Sequence, residues 1–104
     1  MTFDWDPGKD AANLADRGFD FAFASLVFEG RTFEREDSRR AYGERRIVAL
    51  GLADGIPLAV VYTDRPLEDG SIQRRIISAR LSSRKERRQY AQAIKAADAE
   101  SGEG

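Results

Sequence analysis

The stretch Arg75-Ile76-Ile77-Ser78-Ala79-Arg80 puts an arginine at both ends of a segment of strand length, and the basic run Arg84-Lys85-Glu86-Arg87-Arg88 follows closely. Guanidinium groups are permanently charged planar forks that hold two oxygens of a phosphate or carboxylate at once. This pattern therefore predicts a site for an anionic substrate. The chain contains no histidine and no cysteine. That removes the commonest general acid or base, the thiol nucleophile and the usual transition-metal ligands together. Chemistry must run on Arg, Lys, Glu, Asp, Tyr or Ser. No acidic cluster has the spacing of a magnesium or manganese site, so neither a metal nor another cofactor is expected.

The formal net charge of −1 hides a strong asymmetry. Residues 1–30 hold two basic and six acidic side chains, a net of −4, whereas residues 65–88 hold eight basic and three acidic ones, a net of +5. A polyanion would approach the second segment and avoid the first. A solvated surface of balanced charges has the same composition, so charge alone leaves both readings open. The 104 residues, 41% of them apolar, suit one domain with one modest core. There is no apolar run long enough to span a membrane, and Met1-Thr2-Phe3-Asp4-Trp5-Asp6 has neither the basic start nor the apolar stretch of a secretory signal. With no disulfide to form, a reducing cytoplasmic location is expected.

The elements that must position these residues can be read in order. Phe3 and Trp5 alternate with polar neighbours as in a short strand. Asp6-Pro7 supplies an N-cap and a proline at the first helical position, and Gly18 a left-handed stop. A second helix is expected from Asp20 to Gly30 with Ala24, Val27 and Phe28 on its apolar stripe. From Arg31 the period changes to alternation, which predicts strands at about 32–36, 44–52, 57–65 and 72–80, a tight turn at Ala53-Asp54-Gly55 and a looser one over 66–70. Residues 58–63 are apolar on both faces, so the third of these strands should be central. Ser83 and Glu86 form a capping box that opens a last helix. The expected fold class is α+β: two N-terminal helices, a four-stranded, mainly antiparallel sheet and a C-terminal helix. The domain should span residues 1–95, with 96–104 as an acidic, disordered tail.

The same register predicts that Glu44 and Arg45 lie beside Asp64 and Arg65, that Arg74 and Arg75 lie beside Tyr62 and Thr63, and that Arg80 sits at the opposite end next to Arg84. An exposed Glu44–Arg65 pair would be a cross-strand ion pair of small stabilising value. Trp5 and Tyr62 could stack on bases, but with Phe3, Phe21 and Phe28 they suit the core better.

Phe3-Asp4-Trp5-Asp6-Pro7, then Lys9, Asn13, Gly18, Val27-Phe28, Glu44-Arg45, Gly51, Val60-Val61-Tyr62-Thr63, Arg65, Arg75 to Arg80, Glu86 and Tyr90 together resemble the BrnT family of toxins. The resemblance implies a RelE-like ribonuclease fold and RNA cleavage that does not require the ribosome. It also implies a BrnA antitoxin with a ribbon-helix-helix part, through which the complex would bind its own promoter DNA. The family usually has Lys-His-Gly where this chain has Asp16-Arg17-Gly18. Arg17 keeps a positive charge but cannot exchange a proton near neutral pH.

RNA can be cleaved without histidine, because the nucleophile is the substrate's own 2′-hydroxyl and the protein mainly stabilises the extra charge of the phosphorane. On this reading the candidate catalytic residues are Arg65, Arg75, Arg80, Glu44 and Tyr90. Arg17, Lys9, Arg45 and Arg84 are the candidates for substrate binding. Tyr90 could equally pack its helix through Ile94, and Ser78 is read as structural. Two other classes stay open: a module that binds nucleic acid or the antitoxin without cutting, and a basic helix that docks on an acidic partner.

Overall fold

A computed structural model describes residues 1–38 and 43–101. The elements are β1 (Thr2–Trp5), α1 (Pro7–Arg17), α2 (Phe21–Ala24) followed by a 3-10 turn (Ser25–Glu29), β2 (Phe33–Glu36), β3 (Ile47–Ala53), β4 (Ile56–Pro66), β5 (Ile72–Leu81) and α3 (Arg84–Ser101). The class is α+β, but the sheet is five-stranded and mixed, in the order β1-β5-β4-β3-β2. The fifth strand is the Phe3–Trp5 segment. It adds to the sheet in parallel, pairing Thr2–Trp5 with Gln73–Ile76. Its local alternation marks it as a strand, but its partner lies some 70 residues away, where no sequence signal points.

Local chemistry sets the helix ends. The Asp6 carboxylate accepts from the Lys9 N–H at 2.9 Å, and Gly18, at φ 85°, donates its N–H to the Leu14 carbonyl at 3.0 Å. The second helix is shorter than the expected Asp20–Gly30. It makes one α-turn, capped by Asp20 through the Phe23 N–H, and then tightens to 3-10 geometry. This winding sets Val27 on Gly51, where an added Cβ would lie 3.1 Å from the Val27 Cβ. Asp54 and Gly55, both at positive φ, close the β3–β4 hairpin, as a two-residue turn requires.

Strand β4 is central, with every residue from Leu58 to Thr63 buried. One face packs Leu58, Val60, Ile76 and Ala79 under Phe21, Ala24 and Val27. The other packs Val48, Leu50, Ala59 and Val61 with Ile77 and Tyr90 of α3. Helix α3 continues past Lys95, where fraying was expected, to Ser101, and Asp98 forms an ion pair with Arg31. Residues 102–104 of the expected acidic tail lie outside the described residues.

A β-bulge decides which way the arginines point. Val61 pairs with Ser78 but Tyr62 pairs with Ile76, so Ile77 is an extra residue in β5. In unbroken alternation Arg75 and Arg80, an odd number of residues apart, would face opposite sides. The bulge puts both on the α3 side of the sheet, with Arg74 on the other side, over the rings of Tyr62 and Phe28 at 3.9 and 4.7 Å from their centroids.

Candidate active site

The site is built outward from Glu86. The capping box forms as expected: Ser83 N–H donates to Glu86 Oε1 at 2.8 Å, and Glu86 N–H donates to Ser83 Oγ at 3.2 Å. The same carboxylate also accepts two bonds from Arg80, Nη1 to Oε1 at 2.6 Å and Nη2 to Oε2 at 2.9 Å, and one from Arg35 Nη2 at 2.8 Å. A cap residue of α3 thus clamps arginines from β5 and β2. Glu86 is buried, with 7% of its side chain exposed, whereas Arg80 and Arg35 remain 42% and 44% exposed. The Arg80 hydrogen bonds, helped by the Ser83 N–H and Arg35, hold the Glu86 carboxyl down at about 2 against the opposing effect of burial.

Past Ile76, β1 no longer pairs with the outer edge of β5. Arg17, the last residue of α1, reaches that edge: its Nη1 donates to the Ala79 carbonyl at 2.6 Å and to Asn13 Oδ1 at 3.3 Å. Asn13, buried, in turn donates to the Phe19 carbonyl at 2.9 Å. The Nε and Nη2 donors of Arg17 carry no hydrogen bond among the described residues, so the strut leaves a charged edge for a ligand.

Arg17, Arg35 and Arg80 line one cleft of about 430 Å³, with Val48, Val61 and Ser78 also in its wall and Glu36, Asp37 and Ser38 bordering it. A smaller pocket of about 190 Å³ brings Lys9 to Arg17 and Ser78. Three cations supplied by three separate elements converge on one concave surface, a geometry suited to a phosphodiester. Among the described residues, no three acidic side chains gather into a metal-binding group.

The other sequence candidates are distributed around this cleft. Arg75 shares its face but lies four β4 positions from Arg80, judged from its partner Thr63 against Ala59, or about 13 Å; it is ion-paired with Asp4 of β1. Arg65, exposed and opposite Gln73, lies about 20 Å from Arg80 by the same spacing. Glu44 pairs with Arg46 at 3.2 Å in place of the expected Arg65. Arg74 lies opposite Asp64, one position beyond the expected pair Tyr62 and Thr63, and is bound to it through two bonds of 2.8 Å. Arg45 reaches the rim through Glu36 at 3.7 Å. Arg84 is exposed at the start of α3 and is not part of the cleft wall. The Tyr90 hydroxyl donates to the Arg31 carbonyl at 3.0 Å and its ring packs on the sheet, away from the cleft. Burial and a hydrogen bond to Glu34 push the Tyr62 hydroxyl well above its ordinary pKa, but it lies under Phe28 and Arg74, on the opposite face of the sheet.

Sequence reasoning missed Arg35, the clamping role of Glu86 and the place of Ser78 in the cleft wall. Arg35 sits in an exposed Glu-Arg-Glu strand, 51 residues from Glu86, and carries no local signal. The capping box gave the position of Glu86 but not its second use.

Residues 5–86 match the model of a family described as the ribonuclease toxin BrnT of type II toxin–antitoxin systems. The chain belongs to the BrnT family. No curated protein matches it significantly in sequence. The segment matched to BrnT contains Arg17, Arg35, Arg80 and Glu86, and so the whole clamp, and ends before Tyr90. Among the described residues, no helix of this BrnT chain is long and apolar enough to cross a membrane.

Proposed function

We propose that this toxin is a metal-independent endoribonuclease that binds the scissile phosphate in the Arg17–Arg35–Arg80 cleft. The observation that carries the reading is the Glu86 clamp, which fixes two guanidinium groups before any substrate arrives. Preorganised donors of this kind are worth about 3–4 kcal/mol each where charge develops in the transition state. Arg80 and Arg35 hold the nonbridging oxygens, and the unbonded edge of Arg17 closes the third side. The substrate 2′-oxygen attacks phosphorus, the bond to the 5′-oxygen breaks, and the products carry a 2′,3′-cyclic phosphate and a 5′-hydroxyl.

The 2′-hydroxyl proton passes to a carboxylate at the cleft, for which Glu36 at the rim is placed, and water protonates the leaving 5′-oxygen. Glu86 is unsuited to this step, because a carboxyl held at about 2 is a very weak base. Without a group matched to neutral pH the reaction is slow and depends on charge stabilisation. Its biological effect is to stop translation and growth by destroying cytoplasmic RNA, under the control of a BrnA-like antitoxin that carries the promoter-binding ribbon-helix-helix part.

The test is incubation of the purified chain with bare RNA in EDTA. Fragments with 2′,3′-cyclic phosphate ends are expected, with the rate about 10²–10³-fold lower in Arg80→Ala. Cleavage that EDTA abolishes, or that Arg80→Ala leaves unchanged, refutes the mechanism. One observation favours a second reading, a decayed toxin kept as an antitoxin-binding or nucleic-acid-binding module: Arg17 spends Nη1 on bracing the edge of β5. A folded chain that binds RNA or antitoxin and cuts nothing would establish it.

A further inference from the structure

At the end of the sheet where the β3–β4 hairpin turns, large apolar side chains remain in water. Leu81, Leu14 and Ile56 are 60%, 52% and 42% exposed. With Phe19 and Phe23 they line an open groove of about 570 Å³. A contiguous exposed apolar surface on so small a domain marks an interaction site. The cation in its wall is Arg17. The acid in the wall, Asp20, is already engaged as the cap of α2. The groove therefore suits a segment with apolar anchors and a carboxylate that reaches Arg17.

Arg17 supplies an independent observation, because it lines this groove, the RNA cleft and the smaller pocket between α1 and β5. Its Nη1 is fixed on the Ala79 carbonyl, so its remaining donors can serve one carboxylate or one phosphate. We propose that this groove is where the antitoxin of the module docks, through an amphipathic segment, and that a carboxylate of that segment captures Arg17 and removes it from the RNA site. The docking rests on membership of a toxin–antitoxin family and on the groove; the inhibition by capture rests also on the cleft being the RNA site.

The experiment is calorimetric titration of the full chain with its purified cognate antitoxin, with no RNA present. Leu81→Asp and Leu14→Asp, each confirmed as folded by its circular dichroism and melting curve, should weaken binding at least tenfold, as should Arg17→Gln. Leu67→Asp, 37% exposed beyond the opposite end of β4, should stay within twofold of the parent. Binding by the two groove leucine variants that equals the parent's overturns the proposal, and so does a parent that does not bind the antitoxin. A parent that is dimeric by light scattering and turned monomeric by Leu81→Asp overturns it in favour of a second copy as the occupant. Since the titration contains no RNA, a chain that binds antitoxin in this way but never cuts RNA refutes the ribonuclease reading and leaves the docking site standing.

Discussion

Replacing Glu86 with glutamine keeps the shape of the cap and removes the charge that gathers Arg35 and Arg80, so it measures the clamp itself. The folded-state pKa of Glu86 is lowered from 4.5 to about 2. A depressed carboxylate contributes stability that is fully present above its unfolded pKa and is lost as pH falls through its folded value. The window is therefore pH 4.5 down to about 2. The shift corresponds to roughly 3 kcal/mol at neutral pH. Arg80 and Arg35 are 42% and 44% exposed, however, so solvent screens part of it, and about 2 kcal/mol is the expected cost of Glu86→Gln at pH 7. In a domain of this size that lowers Tm by roughly 10 °C. Thermal and urea melts of both proteins between pH 7 and pH 2.5 make the comparison, because the difference between them isolates this carboxylate from the rest of the acid titration. A gap under about 0.5 kcal/mol at pH 7, or one that stays constant down to pH 2.5, would show that the clamp is not held by the Glu86 charge.

Arg65→Ala should change RNA cleavage by less than about threefold, against the 10²–10³-fold loss in Arg80→Ala, because it lies too far along the sheet to reach the same phosphate; cleavage assays on the two variants side by side decide it. The double replacement Asp16→Lys, Arg17→His, tested by cleavage rate against pH, should add an inflection near pH 6.5 and raise the rate about 10-fold or more near neutrality, since imidazole supplies the proton transfer that arginine cannot. A flat profile would mean that the proton transfer runs elsewhere. Gly51→Ala should destabilise the protein by about 1–3 kcal/mol in urea unfolding, because the new Cβ meets Val27 and Thr32 at 3.1 and 3.3 Å in a closed core. Gly30→Ala, with nothing within 4 Å of the added Cβ, should stay within about 0.5 kcal/mol of the parent.

The parts of the fold that were legible in sequence depend on contacts a few residues apart. Asp6 and Gly18 bound α1, Ser83 and Glu86 open α3, Asp54-Gly55 turns the hairpin, and the doubly apolar run 58–63 marks the central strand. The second helix was longer on paper than in space, because stripe periodicity does not register how closely Val27 can approach a strand that carries glycine at position 51. The register between β4 and β5 was legible to within a residue, since the loop length fixes it. The bulge at Ile77 was not, and one extra residue is enough to move an arginine from one face of a sheet to the other.

The sequence by itself therefore determined the chemical inventory, which is rich in arginine and has no histidine or cysteine, and most of the elements that carry the basic residues. It also carried the family pattern across residues 5–86. Only the tertiary structure decided which arginines lie together. Arg65, Arg75 and Arg80 look equivalent along the chain, but a bulge, a parallel edge strand and one buried carboxylate join Arg80 to Arg35 and Arg17 and leave the other two apart. The physical reason is range. Caps and turns are fixed by hydrogen bonds that span three or four residues, whereas the clamp and its strut join groups 51 and 62 residues apart, and those distances close only when the whole sheet is in register.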